Sequence, residues 1–295
     1  MRVAILGSEG FVGKNLVELL DPHFDLVTSD IFDNNPRSNY VKMDIQNLEQ
    51  VSNVLEGCDA VINLVTNTLV SSFDQVIENA KVNIIGLLNV LEASRKNNLK
   101  KIIFTSASSL VGQTLENPVS ERHPTTPKTP YGITKLASEH YLRLYKELYD
   151  LDYVIFRFFN IFGPHQINGV IPNMISKINN NEPVTVFGKG NQIRDFVFIK
   201  DVASFFEKSL VSNIADNQII NMGSGKGATV MDVINLISEK LNKTPSINFQ
   251  PERPGEISNF VADTTLLKSL FGKTPTSSLE DGLQQTIDWN KSQNN

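Results

Sequence analysis

Tyr131 and Lys135 stand four residues apart in Tyr131-Gly132-Ile133-Thr134-Lys135, directly after Pro130. On a helix that spacing puts both side chains on one face, and a proline marks where such a helix starts. An ammonium beside a phenol favours the phenolate and draws the tyrosine pKa toward neutrality. A tyrosine so poised can take a proton from a substrate hydroxyl while a hydride leaves the same carbon. The pair alone is common on surface helices, so its weight depends on what else the chain carries. Gly7, Gly10 and Gly13 form G-x-x-G-x-x-G between the apolar Val3-Ala4-Ile5-Leu6 and the amphipathic run Phe11–Leu20. A strand-to-helix turn with bare backbone lets a pyrophosphate reach a helix N-terminus, and the third glycine lets helix and strand pack closely. Asp30 ends the next apolar run, 17 residues beyond Gly13 (30 − 13). A carboxylate there accepts hydrogen bonds from adenosine ribose hydroxyls and repels a 2′-phosphate, which favours NAD over NADP. Asp44, after the third apolar run, is a candidate for the adenine amino group. Phe11, Val12, Ile45, Leu64 and Phe158 complete the candidate cofactor-binding set with Tyr131 and Lys135.

Such groups need a scaffold that brings them to one place. Short apolar runs at Val3–Leu6, Leu26–Ser29, Tyr40–Met43, Ala60–Val65, Ile102–Thr105 and Tyr153–Phe158 alternate with helical patterns at Phe11–Leu20, Val76–Asn97 and Tyr131–Tyr149. That alternation predicts an α/β fold with a Rossmann-type doubly wound parallel sheet and right-handed crossovers. After Pro164 the segments shorten and gain Asn, Gly and Pro, with helices still readable at Thr229–Leu241 and Ser278–Trp289. The expected division is a dinucleotide-binding domain over 1–165, a segment at about 196–222 returning to the large sheet, and a smaller C-terminal α/β substrate lobe over 166–295.

Composition narrows the function classes. The 295 residues are 40% apolar, enough for a large core, and carry a net charge of −5 with the signs interspersed. No basic run suggests a nucleic-acid partner; Lys100-Lys101 reads as a solvated helix end. One cysteine, Cys58, and four scattered histidines supply no disulfide framework and no metal-ligand spacing. No apolar run approaches a membrane span, and the start of the chain is too short an apolar run for a signal peptide. The expectation is a cytoplasmic protein that needs no metal.

Further motifs follow in order: Arg157-Phe158-Phe159-Asn160-Ile161-Phe162-Gly163-Pro164, Gly190-Asn191-Gln192-Ile193-Arg194-Asp195-Phe196, Asn221-Met222-Gly223-Ser224-Gly225, Arg253-Pro254-Gly255-Glu256 and Leu279-Glu280-Asp281-Gly282-Leu283. With the glycine turn and Tyr131/Lys135, this set resembles the NAD-dependent epimerase/dehydratase family of extended short-chain dehydrogenases, and most resembles its UDP-glucose 4-epimerase branch. The likeness covers nearly the whole chain. It implies that Tyr131 is the base and that Lys135 is its partner on the nicotinamide ribose. It also implies that Asn160, Arg194 and Arg253 hold the nucleotide diphosphate of a UDP-hexose, with Phe187 and Phe260 as further substrate contacts. Guanidinium forks suit phosphate oxygens, although an arginine read alone is more often a surface ion pair. A homodimer built on the Val76–Asn97 and Tyr131–Tyr149 helices is implied too.

Two departures stand out. The family places a Ser or Thr where this chain has Ala107, within Thr105-Ser106-Ala107-Ser108-Ser109-Leu110-Val111-Gly112. Ser108, or Ser106, is the candidate replacement hydroxyl. Asn63-Leu64-Val65-Thr66 stands where the family often has His-Leu-Ala-Ala, which changes polarity near the nicotinamide. Ser108 and Ser109 also occupy positions where dehydratase and decarboxylase branches usually carry an acid. Simple oxidation and re-reduction at C4 therefore leads, and the bulk of Phe260 slightly favours glucose/galactose over an N-acetylated sugar. The alternatives are a nucleotide-sugar 4-ketoreductase or another epimerase or dehydratase on the same scaffold, and a non-catalytic nucleotide-sugar-binding protein.

Overall fold

The computed structural model describes residues 1–33, 35–252 and 257–293. In chain order the first elements are β1 (Arg2–Leu6), α1 (Phe11–Leu20), β2 (Asp25–Asp30), β3 (Tyr40–Lys42), α2 (Leu48–Leu55), β4 (Ala60–Asn63), α3 (Val76–Ala80), α4 (Gly86–Lys96), β5 (Lys101–Ala107), α5 (Pro130–Tyr149) and β6 (Asp152–Phe158). They are followed by β7 (Asn160–Phe162), α6 (Val170–Asn179), β8 (Val184–Phe187), β9 (Ile193–Phe198), α7 (Ile199–Val211) and β10 (Gln218–Met222). The last elements are β11 (Gly227–Thr229), α8 (Val230–Leu241), β12 (Ile247–Gln250), β13 (Asn259–Phe260), α9 (Thr265–Phe271) and α10 (Leu279–Gln293).

The chain divides into two compact units, Met1–Gly112 with Pro124–Phe158 and Ala203–Ile220, and Gln113–His123 with Phe159–Val202 and Asn221–Asn295. The first unit is built on a seven-stranded sheet in the order β10-β6-β5-β4-β1-β2-β3. Every ladder from β3 across to β6 is parallel. Strands buried on both faces read as continuous apolar runs, and β1, β4 and β5 are buried almost throughout. The strand order reverses direction at β1/β4. In an open α/β sheet that is where a crevice opens outside the carboxyl ends of the strands.

Local chemistry explains where the elements begin and end. Helix α5 starts because Thr129 accepts a hydrogen bond from the Gly132 backbone N–H and Pro130 occupies the first turn; it stops at Asp150 in the left-handed region. Helix α8 opens with a reciprocal capping box between Thr229 and Asp232. The stretch Val76–Asn97 expected as one helix is instead α3 and α4 joined by a π turn at Lys81–Ile85. The periodicity of side chains does not reveal one residue added to a single turn.

Two more expectations change. Lys101 is not solvated: its Nζ lies 2.6 Å from Asp216 and donates to the carbonyls of Ser209 and Ser212, both at 3.0 Å, at the end of α7. The cation neutralises a carboxylate and satisfies helix-terminal carbonyls together. Of the segment expected to return to the large sheet, Ala203–Ile220 lies in the first unit with β10 in its sheet, whereas the part before it does not. Strand β9 belongs to a four-stranded sheet, flanked by β11 and β13 and also paired with β7, in the second unit. Residues 113–123 also belong to that unit, ahead of Tyr131 in the chain. Among the described residues, no helix is long and apolar enough to cross a membrane.

The C-terminal half of β5, the middle of α5 and β6 are fastened by a buried cluster. Arg157 donates through Nε and Nη2 to the two oxygens of Glu139 at 2.9 and 2.7 Å, and Ser106 Oγ donates to Glu139 Oε1 at 2.6 Å. All three residues are under 5% exposed. Arg157→Met leaves the Glu139 carboxylate buried without its fork. We expect a loss of about 3–5 kcal/mol of stability, with Arg157→Lys recovering only part because an ammonium lacks the bidentate geometry. Thermal midpoints of the three proteins check this, and equal midpoints would refute it.

Candidate active site

The carboxyl ends of the first unit's strands surround a cavity of ≈ 580 Å³. Its floor is the turn between β1 and α1. Gly7 has φ +87°, and a Cβ on Gly13 would lie 2.2 Å from the Gly7 carbonyl oxygen. No side chain fits there, so the start of α1 packs directly on the turn and keeps its N-terminus close to the cavity. Gly10, Phe11 and Val12 line the same end.

Asp30 closes one side at the end of β2. Its carboxylate accepts the backbone N–H of Glu9 at 3.0 Å and of Ile31 at 2.7 Å. Burial pushes the Asp30 pKa up; those two donors oppose the rise, while the nearby Glu9 carboxylate adds to it. Glu9 was not singled out from the sequence, yet an acid inside the glycine turn was a visible signal. It brings a second carboxyl group to this end, with Lys14 Nζ 3.8 Å from it. Asp44 and Ile45 line the cavity beside the end of β3, and Leu64 and Thr66 line it after β4. Phe158, at the end of β6, reaches it from the opposite side.

Tyr131 and Ser106 line the cavity as well; Lys135 lies behind it. Lys135 is 2% exposed, with Nζ donating to the Thr105 carbonyl at 2.8 Å and sitting 4.6 Å over the Phe104 ring. Its Nζ is 5.6 Å from the centre of the Tyr131 ring. Burial draws the Lys135 pKa down to about 7, against the pull of Glu139. The expected depression of Tyr131 is not what this geometry produces. Burial pushes the phenol up to about 12, and the side chain that opposes the rise is Thr66. A cation turned onto a carbonyl and losing its own charge to desolvation does little for a neighbouring phenol.

The serine candidates divide. Ser106 lines the cavity, but its hydroxyl is spent on Glu139. Ser108 opens a short 3-10 turn, Ser108–Leu110, and is not among the cavity-lining residues. Asn63 holds the turn after β4, where its side-chain oxygen accepts the Val65 N–H at 3.1 Å.

A polar network that sequence reasoning missed lies between the loop after β4 and α5. Asn83 Oδ1, in the π turn, accepts from Thr66 Oγ1 at 3.1 Å and from the Asn67 N–H at 2.8 Å. Asn83 Nδ2 donates to Thr134 Oγ1 at 3.0 Å, and Thr134 in turn donates to the Tyr131 carbonyl at 2.9 Å. Asn79 joins through the Asn67 carbonyl at 3.0 Å. Scattered asparagines carry no spacing signal, so only the fold reveals that they meet.

The substrate candidates lie in the second unit. Asn160 on β7, Arg194 on β9 and Phe260 on β13 share one sheet, with Asn160 opposite Phe196 and Arg194 opposite Phe260. Asn160 Nδ2 donates to the Asp195 carbonyl at 3.0 Å, and Arg194 Nη1 donates to the carbonyls of Ile193 and Ile257 at 2.9 and 2.7 Å. Phe260 is buried and stacks on Phe159 at 5.0 Å. Phe187 ends β8 in a separate pair of strands. Arg253 lies outside the described residues. Asp195 is fully buried and accepts from Ser224 N–H and Oγ, Gly225 N–H and Ala262 N–H at 2.6–3.1 Å, so the motif around it fixes backbone.

Known proteins share this arrangement. Residues 3–223 match the NAD dependent epimerase/dehydratase family. A UDP-glucose 4-epimerase of Mycolicibacterium smegmatis is 29% identical, the match covering 99% of this chain and 100% of that one. The crystal structure of a UDP-glucose 4-epimerase from Thermotoga maritima with UDP-glucose superposes with a TM-score of 0.93 at 27% identity and full coverage of both chains. A UDP-N-acetylglucosamine 4-epimerase from Methanobrevibacter ruminantium M1, in complex with UDP-N-acetylmuramic acid, superposes at 0.91 with 30% identity, covering 99% of this chain and 98% of that one. The chain belongs to the NAD dependent epimerase/dehydratase family and is an NAD-dependent enzyme of it.

Proposed function

We propose that this chain interconverts UDP-glucose and UDP-galactose by transient oxidation and re-reduction at C4. The observation that carries the reading is the place of Tyr131, on the wall of the cavity whose floor is the bare turn at Gly7 and Gly13. A group that exchanges a proton is thus set in the same crevice as a pyrophosphate cradle.

The residues fit NAD. Gly7, Gly10, Phe11, Val12 and Gly13 would hold its pyrophosphate, Asp30 its adenosine ribose and Asp44 with Ile45 its adenine. Leu64, Phe158 and Lys135 would hold its nicotinamide half. When bound, NAD supplies a hydride acceptor that later returns the hydride, so no net oxidant is needed. Tyr131 takes the C4 hydroxyl proton as the carbon is oxidised and gives it back on re-reduction. Asn160, Arg194 and Arg253 would hold the nucleotide diphosphate, Phe187 and Phe260 the rest of the substrate. The short turn Ser108–Leu110 presents no carboxyl group, which supports C4 epimerisation over elimination at C5 and C6.

The same reading extends to a homodimer. Val76 and Ile77 on α3, Ile85 on the π turn and Ile133, Leu144 and Leu148 on α5 are exposed apolar side chains of the kind a second copy would cover. An Ile77→Glu/Leu148→Glu protein should sediment as a monomer where the parent sediments as a dimer; no difference would remove this face as the interface.

Purified protein incubated with UDP-galactose, UDP-N-acetylglucosamine or UDP-glucuronate, without added cofactor, should convert UDP-galactose with no net change in nicotinamide absorbance. Tyr131→Phe should lower kcat by about 10²–10⁴-fold, the usual weight of a positioned acid-base group. Conversion of a different sugar would move the substrate, and undiminished turnover by Tyr131→Phe would refute the role given to Tyr131. Asp30→Asn should weaken NAD binding about tenfold or more, as loss of a charged acceptor implies, and narrow the preference over NADP. Equal affinities for NAD in the two proteins would remove Asp30 from the ribose.

A further inference from the structure

We propose that Gln46 and Glu78 form a clasp on the solvent side of the cofactor cavity, and that the hydrogen bond between their side chains slows the release of NAD. The inference rests on the reading of this cavity as the cofactor site and is independent of which sugar the enzyme takes. Both residues line the cavity, and they reach it from different elements, Gln46 from the turn after β3 and Glu78 from α3. Gln46 Nε2 donates to Glu78 Oε1 at 3.0 Å, across 32 residues of chain. Both are half-exposed, whereas Ile45 and Asn79, their neighbours in the chain, are buried. The bond therefore joins the outer edges of two walls.

The walls themselves are fixed. After β3, the Gln46 backbone N–H donates to Asp44 Oδ1 at 2.9 Å, and the Asp44 N–H donates to Gln50 Oε1 at 2.8 Å. Asn89 Nδ2, on α4, donates to the Ile45 carbonyl at 2.9 Å. A Cβ on Gly86 would lie 2.8 Å from Ile45 Cγ2, so this wall packs closely on α4. On the other side Asn79 sets the place of α3. Its Nδ2 donates to the Asn67 carbonyl at 3.0 Å, and its Oδ1 accepts from Thr134 Oγ1 at 3.1 Å. Neither backbone has to move for the clasp to open. Rotation of two long, half-exposed side chains breaks the one hydrogen bond between them.

The chemistry of the pair suits this task. A carboxylate offers only acceptors and an amide offers two donors, so the bond is charge-assisted. Asp30 and Asp44 already line this cavity, and a further carboxylate without a donor would only repel an anionic dinucleotide; the Gln46 amide supplies that donor. One such bond at a half-exposed position slows release about tenfold. An enzyme whose cofactor serves both halves of one cycle needs release to be slow compared with turnover. A clasp that opens by side-chain rotation meets that need and leaves the entry route usable.

The test is a cycle of four proteins: the parent, Gln46→Glu, Glu78→Gln and the exchanged Gln46→Glu/Glu78→Gln. Each is loaded with radiolabelled NAD and chased with excess unlabelled NAD, and the label left on the protein is followed with time. Gln46→Glu sets two carboxylates against each other and should release NAD about tenfold faster. Glu78→Gln keeps a neutral amide pair and should have a smaller effect. The exchanged protein again sets an amide donor opposite a carboxylate and should return to within about threefold of the parent. Thermal midpoints of the NAD-free proteins should agree, which separates loss of the clasp from loss of fold. A release rate for Gln46→Glu equal to the parent's would overturn the proposal. So would an exchanged protein whose release is as fast as the two single changes multiplied together. Failure of the parent to bind NAD at all would overturn the cofactor reading of the cavity and the clasp with it. Should no nucleotide sugar be converted by the parent, the 4-epimerase reading falls while the release rates still decide the clasp. Should Gln46→Glu not fold, Gln46→Leu removes the donor and carries the same expectation.

Discussion

A carboxylate with almost no water around it must be held by its neighbours, and Glu139 is held from three sides. The Arg157 fork reaches it from β6, the Ser106 hydroxyl from β5, and its own helix α5 carries Tyr131 and Lys135 on the preceding turns. Such a pair adds little net stability compared with apolar packing, but it tolerates no loss of a partner. Its effect is geometric. Two adjacent strand ends and the helix that bears the proton-exchanging phenol cannot shift relative to one another without stranding a charge. The field of Glu139 also works against desolvation at Lys135. The Lys135 ammonium, directed at the Thr105 carbonyl, adds a second tie between α5 and β5.

The opposite side of the cavity is governed by the absence of space. Where a Cβ on Gly13 would meet the Gly7 carbonyl at 2.2 Å, the chain can only be glycine, and the head of α1 stays close to the cavity. Asp30 receives two backbone donors at the end of the adjacent strand, which fixes its carboxylate without neutralising it. Both halves arise from the same carboxyl edge of one parallel sheet, at the reversal of strand order between β1 and β4. A steric rule and an electrostatic rule thus meet along one line of strand ends.

Legibility from sequence followed this division. Features set by local rules were readable: the helix at Phe11–Leu20, the start of α5 at Pro130, the glycine turn and the acid ending β2. Features set by tertiary contact were not. Lys101 looks like half of a solvated basic pair until Asp216 and the end of α7 arrive from more than a hundred residues away. Strand β9 has the apolar content of a strand in the large sheet, yet its partners are β7, β11 and β13. The pKa argument for Tyr131 failed for a similar reason. Spacing places a lysine on the right face but says nothing of burial, and burial dominates both groups. Thr66 drew notice only as a departure from a familiar pattern, because nothing in its own neighbourhood tells that it shares a cavity wall with a phenol carried by a helix beginning at Pro130.

The π turn at Lys81–Ile85 shows how the loop that carries Thr66 is tied to α5. A wider turn has poorer helical geometry and persists where something else depends on it. Here it carries Asn83, whose side chain meets Thr66, Asn67 and Thr134, and whose carbonyl accepts the Ser138 hydroxyl at 3.3 Å. A regular turn would carry Asn83 round to another face of the helix. Its hydrogen bonds to Thr66, Asn67 and Thr134 would then be lost, at about 0.5–1.5 kcal/mol for each. The consequence of the π turn is that the loop after β4 and the first turns of α5 are tied through Asn83, with Asn79 beside it also bonded to both Asn67 and Thr134.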